Sequence, residues 1–258
     1  MEITLEQLLS GKATKIRNKQ FKTTAAYVEP FINRLSNLTD DFRIQVKLPE
    51  QITVNNAGEI ETDDITYNRV YIQAVLPDRV CFENHTEVIG MVYGIDTRKP
   101  IAKMFKGALN SACTNLCVFN PAALSIQEIA PESPLDFRGL DAIINQTTDV
   151  AAYLTSLQNT EFDCNPAAID QQLGHWVRNL LHRSIDVGYG KVKLATDMAV
   201  DAYKLLFVEK ESPYYVNGDS TSMFNVYNAF TQLITDNRPK EVMNECEKTL
   251  LIKDILEF

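Results

Sequence analysis

The chain contains no long hydrophobic run. None of its apolar stretches approaches the eighteen residues that a membrane-spanning helix needs, so we expect no such helix. A secretory signal carries positive charge before an apolar run, and Glu2 and Glu6 stand there instead. The sequence therefore predicts a cytoplasmic protein with no membrane partner. Its hydrophobic content of 45% is ordinary for a folded domain.

Cysteine and histidine are few, and their spacing suits neither disulfides nor metals. Five cysteines form an odd, irregular set, which argues against a disulfide framework. The three histidines lie far from the Cys113–Cys117 pair, and structural zinc requires four ligands. We expect no metal site, and cysteines that act as small buried hydrophobic residues: Cys81, Cys113, Cys117, Cys164 and Cys246.

Familiar catalytic signatures are also missing. The chain has no P-loop, no dinucleotide-binding glycine motif and no nucleophile elbow. Gly188–Lys191 has the composition of a phosphate loop but favours a turn between two helices. His175 and His182 fall on similar faces of one predicted helix and could be a base, a metal ligand or a phosphate contact; the spacing favours a half-buried rim. No catalytic residue, metal or cofactor is predicted, and enzyme activity is left open.

The order of the predicted elements indicates an α+β fold. Alternating apolar residues predict antiparallel strands near 42–48 and 69–76 and a third at 86–95, whereas 102–119 is ambiguous. After Pro134 the spacing becomes helical. We predict an N-terminal antiparallel sheet packed against about five C-terminal helices. The expected divisions are a flexible basic arm at 1–23, a sheet region at 24–134 and a helical region at 135–258, the last two forming one continuous domain.

Positive charge is scarce and gathered in three places. The net charge is −9, so binding of nucleic acid needs a local basic patch that overcomes a repulsive overall field. The candidate contacts in the arm are Lys12, Lys15, Arg17, Lys19 and Lys22, with Phe21 among them; the second group is Arg98, Lys99, Lys103 and Lys106; the third is Arg178, His182, Arg183, Lys191 and Lys193.

Basic residues with an aromatic ring between them suit single strands, because cations meet phosphates and rings stack on bases. The arm has a second interpretation, as a solvated tether or a segment that docks on an acidic neighbour of the same assembly.

The aromatic side chains of Met223–Phe230 and the indole of Trp176 are expected to be core.

Three short segments resemble a family of phage- and plasmid-borne proteins of unknown function. They are Asn84–Gly90, with its asparagine-histidine step, Cys113–Val118, with its Cys-x-Asn step, and Ser222–Thr231, which is similar to the family's Tyr-Asn-Ala signature. Phe224 stands where that family has tryptophan, and Phe230 where it has valine. The resemblance implies a mobile-element gene acting inside a bacterial cell, and it transfers no catalytic residue.

Two functional hypotheses follow from the sequence. The first is a non-catalytic homo-oligomer that binds single-stranded nucleic acid in replication or recombination. The alternative is an acidic module that binds a host or phage protein, as a host-defence inhibitor or an assembly component, through the acidic segment 51–67. We also expect the amides of Asn115 and Asn228 to be buried and hydrogen-bonded, with a structural role.

Overall fold

A computed structural model describes most of the chain. The described residues are 3–11, 13, 15–16, 19–47, 67–95, 99–110, 116–118, 121–131, 133–145, 150–186, 190–236 and 244–256. The α+β class is confirmed, with the main sheet in the N-terminal half and most helices in the C-terminal half. Apart from Tyr67, which is 2% exposed, the acidic segment 51–67 lies outside the described residues.

The main sheet is antiparallel and has six strands. In order across the sheet they are β3 (Phe42–Lys47), β4 (Arg69–Phe82), β5 (His85–Gly94), β6 (Ile101–Asn110) and β7 (Leu116–Cys117), and β8 (Leu124–Glu128) also pairs with β6. The register of β3 on β4 runs from Phe42 opposite Ala74 to Lys47 opposite Arg69. The segment that was ambiguous in sequence is therefore a strand over Ile101–Asn110.

Burial along β4 differs from the half-buried strand that its alternation predicts. Val70, Ile72, Ala74 and Leu76 face one side and are buried, but Tyr71, Gln73 and Val75 on the other side are buried as well. Tyr71 lies 5.9 Å from Phe105 between ring centroids, so these two rings pack together. Gly90 makes room for the Phe105 ring, since a Cβ there would collide with it.

The chain packs into two compact units. Unit 1 comprises residues 1–79, 87–106 and 122–146, and unit 2 comprises 80–86, 107–121 and 147–258. The sequence-based boundary at 134 does not follow this division, because the chain passes between the units several times along its strands. Unit 1 also includes the helices α1 (Leu5–Leu9), α2 (Thr24–Leu35) and α3 (Arg138–Asn145) and the short hairpin strands β1 (Lys15–Ile16) and β2 (Lys19–Gln20).

The first residues of the chain are not a free arm in their described part. Thr4 and Gln7 form a capping box: the Gln7 amide donates to the Thr4 hydroxyl at 3.2 Å, and the Thr4 amide donates to the Gln7 side chain at 2.9 Å. Leu8 and Phe21 are buried in the core of unit 1. The prediction of a flexible arm is wrong for these residues, because their apolar side chains anchor the segment.

Unit 2 is mainly helical. Its helices are α4 (Val150–Asn159), α5 (Pro166–His182), α6 (Met198–Phe207), α7 (Met223–Asp236) and α8 (Glu245–Leu256), and its short strands are β9 (Glu161–Asp163), β10 (Ile185–Asp186), β11 (Lys191–Val192) and β12 (Ser220–Ser222). Trp176 is 2% exposed, as predicted, and stacks on Phe162 while meeting Phe230 edge-on. Tyr227 and Phe230 are buried, whereas Met223 and Phe224 are half-buried.

Candidate nucleic-acid interface

The described residues of the first basic group lie in or beside unit 1's hairpin. Lys12 and Arg17 fall outside the described residues, and only the backbone of Lys15 is described. Lys19 is exposed, and Lys22 is half-buried, with its amide donating to the Tyr27 hydroxyl at 3.1 Å. Phe21 is 2% exposed, so the prediction that its ring stacks on a base is wrong. This group therefore lacks the aromatic contact that favoured single strands.

Two of the four residues of the second group are buried and so unavailable to a ligand. Arg98 lies outside the described residues, and Lys99 is exposed. Lys103 and Lys106 are 0% and 5% exposed, so their prediction as phosphate contacts is wrong. The Lys106 ammonium lies 3.3 Å from the Glu87 carboxylate, which also accepts a hydrogen bond from Arg79 at 2.9 Å. The charge of Lys106 thus stabilises unit 1 internally.

The third group is exposed throughout. Arg178 and His182 lie four residues apart on α5, and so on one face of the helix. Trp176, Asn179 and Leu180 occupy the opposite, buried face. The Asn179 side chain donates to the Ile255 carbonyl at 3.0 Å and fixes the rotation of α5. The side chains of Arg178, His182, Arg183, Lys191 and Lys193 are all exposed, and we call this set the α5–hairpin face.

The hairpin that follows α5 presents two lysines together. In β10 and β11, Ile185 pairs with Val192 and Asp186 with Lys191. Val192 and Leu194 are buried, so the alternation of an extended chain turns Lys191 and Lys193 to the exposed side, with Cα atoms about 7 Å apart. The sequence predicted a turn between two helices at 188–191, but Lys191 belongs to a strand of this hairpin. Residues 187–189 lie outside the described part.

The local charge of this face opposes that of the whole chain. Residues 178–193 contain four lysine and arginine residues and a single acid, Asp186. The carbonyls at the C-terminus of α5 favour basic side chains nearby, which explains His182 and Arg183 on structural grounds alone. The helix terminus does not explain Lys191 and Lys193, which belong to the hairpin. The α5–hairpin face therefore gathers four exposed permanent cations and a single acid within sixteen residues of the chain.

The three segments of the family resemblance lie largely in unit 2. Two of them, Asn84–Gly90 and Ser222–Thr231, meet at His85. Its ring lies 6.1 Å from Phe82 and 5.6 Å from Phe224 between centroids. His85 is 1% exposed, and burial lowers its pKa to about 4, against a smaller opposing effect of the Phe82 backbone. The Cys81 thiol donates to the His85 carbonyl at 3.3 Å. A neutral, enclosed imidazole of this kind serves as part of the packing.

The remaining segment, Cys113–Val118, contributes Val118 to a buried polar cluster. The Thr249 hydroxyl accepts from the Val118 amide at 3.3 Å and donates to the Cys246 carbonyl at 2.9 Å. Burial raises the pKa of the Tyr227 phenol well above its ordinary value, with smaller effects from Cys117 and Tyr153. Cys113 and Asn115 lie outside the described residues, and Asn228 is 5% exposed, buried as predicted. Thr249, Tyr227 and Asn228 are thus enclosed, which suits a structural role.

Within the described residues, no three His, Cys, Asp or Glu side chains are placed to hold a metal ion. His175 is half-buried and His182 is exposed, so the helix carries them at its rim.

No helix in the described part of the chain is long and apolar enough to cross a membrane. In comparisons with known proteins, the chain matches no family model, no curated protein and no solved structure.

Proposed function

We propose that this is a mobile-element protein that binds single-stranded nucleic acid in the bacterial cytoplasm, without catalysis, during replication or recombination. The observation that supports binding is the α5–hairpin face, where four permanent cations lie within sixteen residues and all are exposed. The mobile-element origin rests on the resemblance of the three segments. Homo-oligomer formation stays a prediction.

The chemistry of the face suits a phosphate backbone. Arginine and lysine side chains bind phosphate oxygens and release condensed counterions, so affinity comes from charge and does not depend on base sequence. The buried faces of α5 and β11 hold the backbone that carries these side chains, through Trp176, Leu180 and Val192. The cations are thus presented by packed elements, and less freedom is lost when they bind.

Fluorescence polarisation with a labelled oligothymidylate at low salt tests the proposal. The double variant Lys191→Glu/Lys193→Glu reverses two charges on the face. If each lost contact costs a little under 1 kcal/mol, the affinity should fall about tenfold. Both side chains are exposed, so the melting temperature should not change.

Lys210→Glu is the matched control. Lys210 is an exposed lysine of unit 2 that lies outside the α5–hairpin face. Its reversal changes the net charge in the same direction but should leave the affinity within about twofold of the wild type. Because Lys210→Glu changes the net charge half as much as the double variant, a loss of about threefold in Lys210→Glu would reduce the effect to overall charge. No complex with the wild-type protein at micromolar concentration would overturn the proposal.

A further inference from the structure

Leu181 is an exposed apolar side chain among the basic residues at the C-terminal end of α5. It is 53% exposed, and it lies three residues after Arg178 and directly before His182. Its neighbour Leu180 is 1% exposed and fills the core position of this turn. Isolated exposed leucines are common and need no explanation. What distinguishes Leu181 is its place among cations that would bring a phosphate backbone over it.

We infer that Leu181 is the base-contacting residue of this face, and that it makes the face favour unpaired bases over paired ones. The inference rests on the proposed function, since the cations must first hold the backbone. An unpaired base can turn its apolar surface onto the leucine, and water then leaves both surfaces. A base inside a duplex remains stacked and cannot do so without an unstacking cost.

The surroundings of Leu181 favour nucleic acid over a membrane surface. A helix that lies in a membrane interface needs a broad apolar face. The other exposed positions of α5 include Asp170, Gln171 and Gly174, which give it no such face. A single leucine among cations supplies one local apolar contact, which matches the size of one base.

The expected effect is modest and measurable. About half of the Leu181 side chain is exposed, so a base that covers it removes only part of a leucine's apolar surface from water. Contact with a base should therefore strengthen binding about fivefold, the equivalent of about 1 kcal/mol. Leu181→Ala removes the contact and leaves every cation of the face in place.

The test compares probes of equal length, two of which, the single strand with bases and the abasic one, also have equal charge. Labelled oligothymidylate of about 20 nucleotides, an abasic oligomer of the same length and a duplex of that length are titrated at one low salt concentration. We expect the wild-type protein to bind the oligothymidylate about fivefold more tightly than the abasic oligomer. Leu181→Ala should abolish that difference without changing the affinity for the abasic oligomer or the duplex.

Val208→Ala is the matched control. Val208 is 56% exposed and lies in unit 2 at the end of α6, outside the α5–hairpin face, so this variant should bind like the wild type. Equal wild-type affinity for the oligothymidylate and the abasic oligomer would overturn the role of Leu181 while leaving the proposed function intact. So would an equal loss for all three probes, or binding to anionic phospholipid vesicles that Leu181→Ala abolishes. Failure of the wild type to bind any of the three oligomers would overturn the proposed function itself.

Discussion

Trp176 is the residue whose loss should damage unit 2 most. Its indole is 2% exposed, lies 5.8 Å from the Phe162 ring in a stacked arrangement and 5.2 Å from Phe230 edge-on. It therefore connects α5 to β9 and α7 in a single aromatic cluster. Trp176→Ala leaves a cavity and removes two aromatic pairs, which are each worth about 0.5–1.5 kcal/mol beyond their buried area.

The expected cost of Trp176→Ala is about 3–5 kcal/mol of unfolding free energy. For a chain of this length, a loss of that size corresponds to a fall of about 6–20 °C in melting temperature. Trp176→Phe is the conservative control, since it keeps a ring in contact with Phe162 and should cost less than half as much. Because Trp176 is the only tryptophan, both variants lack tryptophan fluorescence, and their unfolding is followed by far-UV circular dichroism instead.

A loss below about 1 kcal/mol in Trp176→Ala would contradict the aromatic cluster, because a truncation of this size in a packed core exceeds that value. Equal losses in the alanine and phenylalanine variants would show that ring contact is not what stabilises the cluster. The wild-type fluorescence gives an independent check: a buried indole should emit at short wavelength and shift to longer wavelength on unfolding.

Two further predictions concern His85 and two glycines. The pKa of His85 is about 4 in the folded protein and about 6.5 in the unfolded chain, so its contribution is complete above pH 6.5 and is lost progressively as the pH falls to about 4. His85→Phe should remove up to about 3 kcal/mol of this acid sensitivity, seen as a flatter plot of unfolding free energy against pH; an unchanged plot would contradict the burial of His85. Gly90→Ala should cost about 1–3 kcal/mol because the new Cβ collides with the Phe105 ring, whereas Gly174→Ala on α5, where a Cβ meets nothing within 4 Å, should gain about 0.4–1 kcal/mol. Thermal unfolding of both glycine variants tests these two predictions. Melting temperatures that shift in the same direction in both variants would contradict them.

Sequence periodicity predicted the elements better than it predicted which charges are exposed. Ile44 and Val46 follow the alternation of a half-buried strand, and Trp176 and Leu180 follow helical spacing, since one element decides each pattern. The exposure of Lys191 and Lys193 was also readable, because they alternate with the buried Val192 and Leu194. Here local structure fixes the side on which each cation lies.

Lys103 and Lys106 show where local pattern fails. They lie in β6 among Ala102, Met104 and Phe105, and the strand is buried on both faces. Apolar residues on both sides of a lysine are typical of such a strand, so a signal was present but was outweighed by the usual exposure of lysine. Phe21 was misplaced for a different reason, because its burial depends on tertiary packing within unit 1.

Leu181 could not be found by searching for charge. Its role depends on which of two adjacent leucines faces the core, and the packing of α5 decides that in favour of Leu180. The exposed position of the hairpin lysines also follows from the pairing of β10 with β11 and the burial of Val192 and Leu194. Sequence separation alone does not give the choice between the two leucines, because it depends on how the elements pack.

The most direct test of the account is the salt dependence of binding to single-stranded DNA. If the four permanent cations of the α5–hairpin face each meet a phosphate, the logarithm of the binding constant should fall with the logarithm of salt concentration with a slope of about −3. Lys191→Gln/Lys193→Gln should reduce the slope to about −1.4, because two phosphate contacts are lost. A wild-type slope near zero, or one that this double variant leaves unchanged, would contradict the claim that this face binds the nucleic-acid backbone.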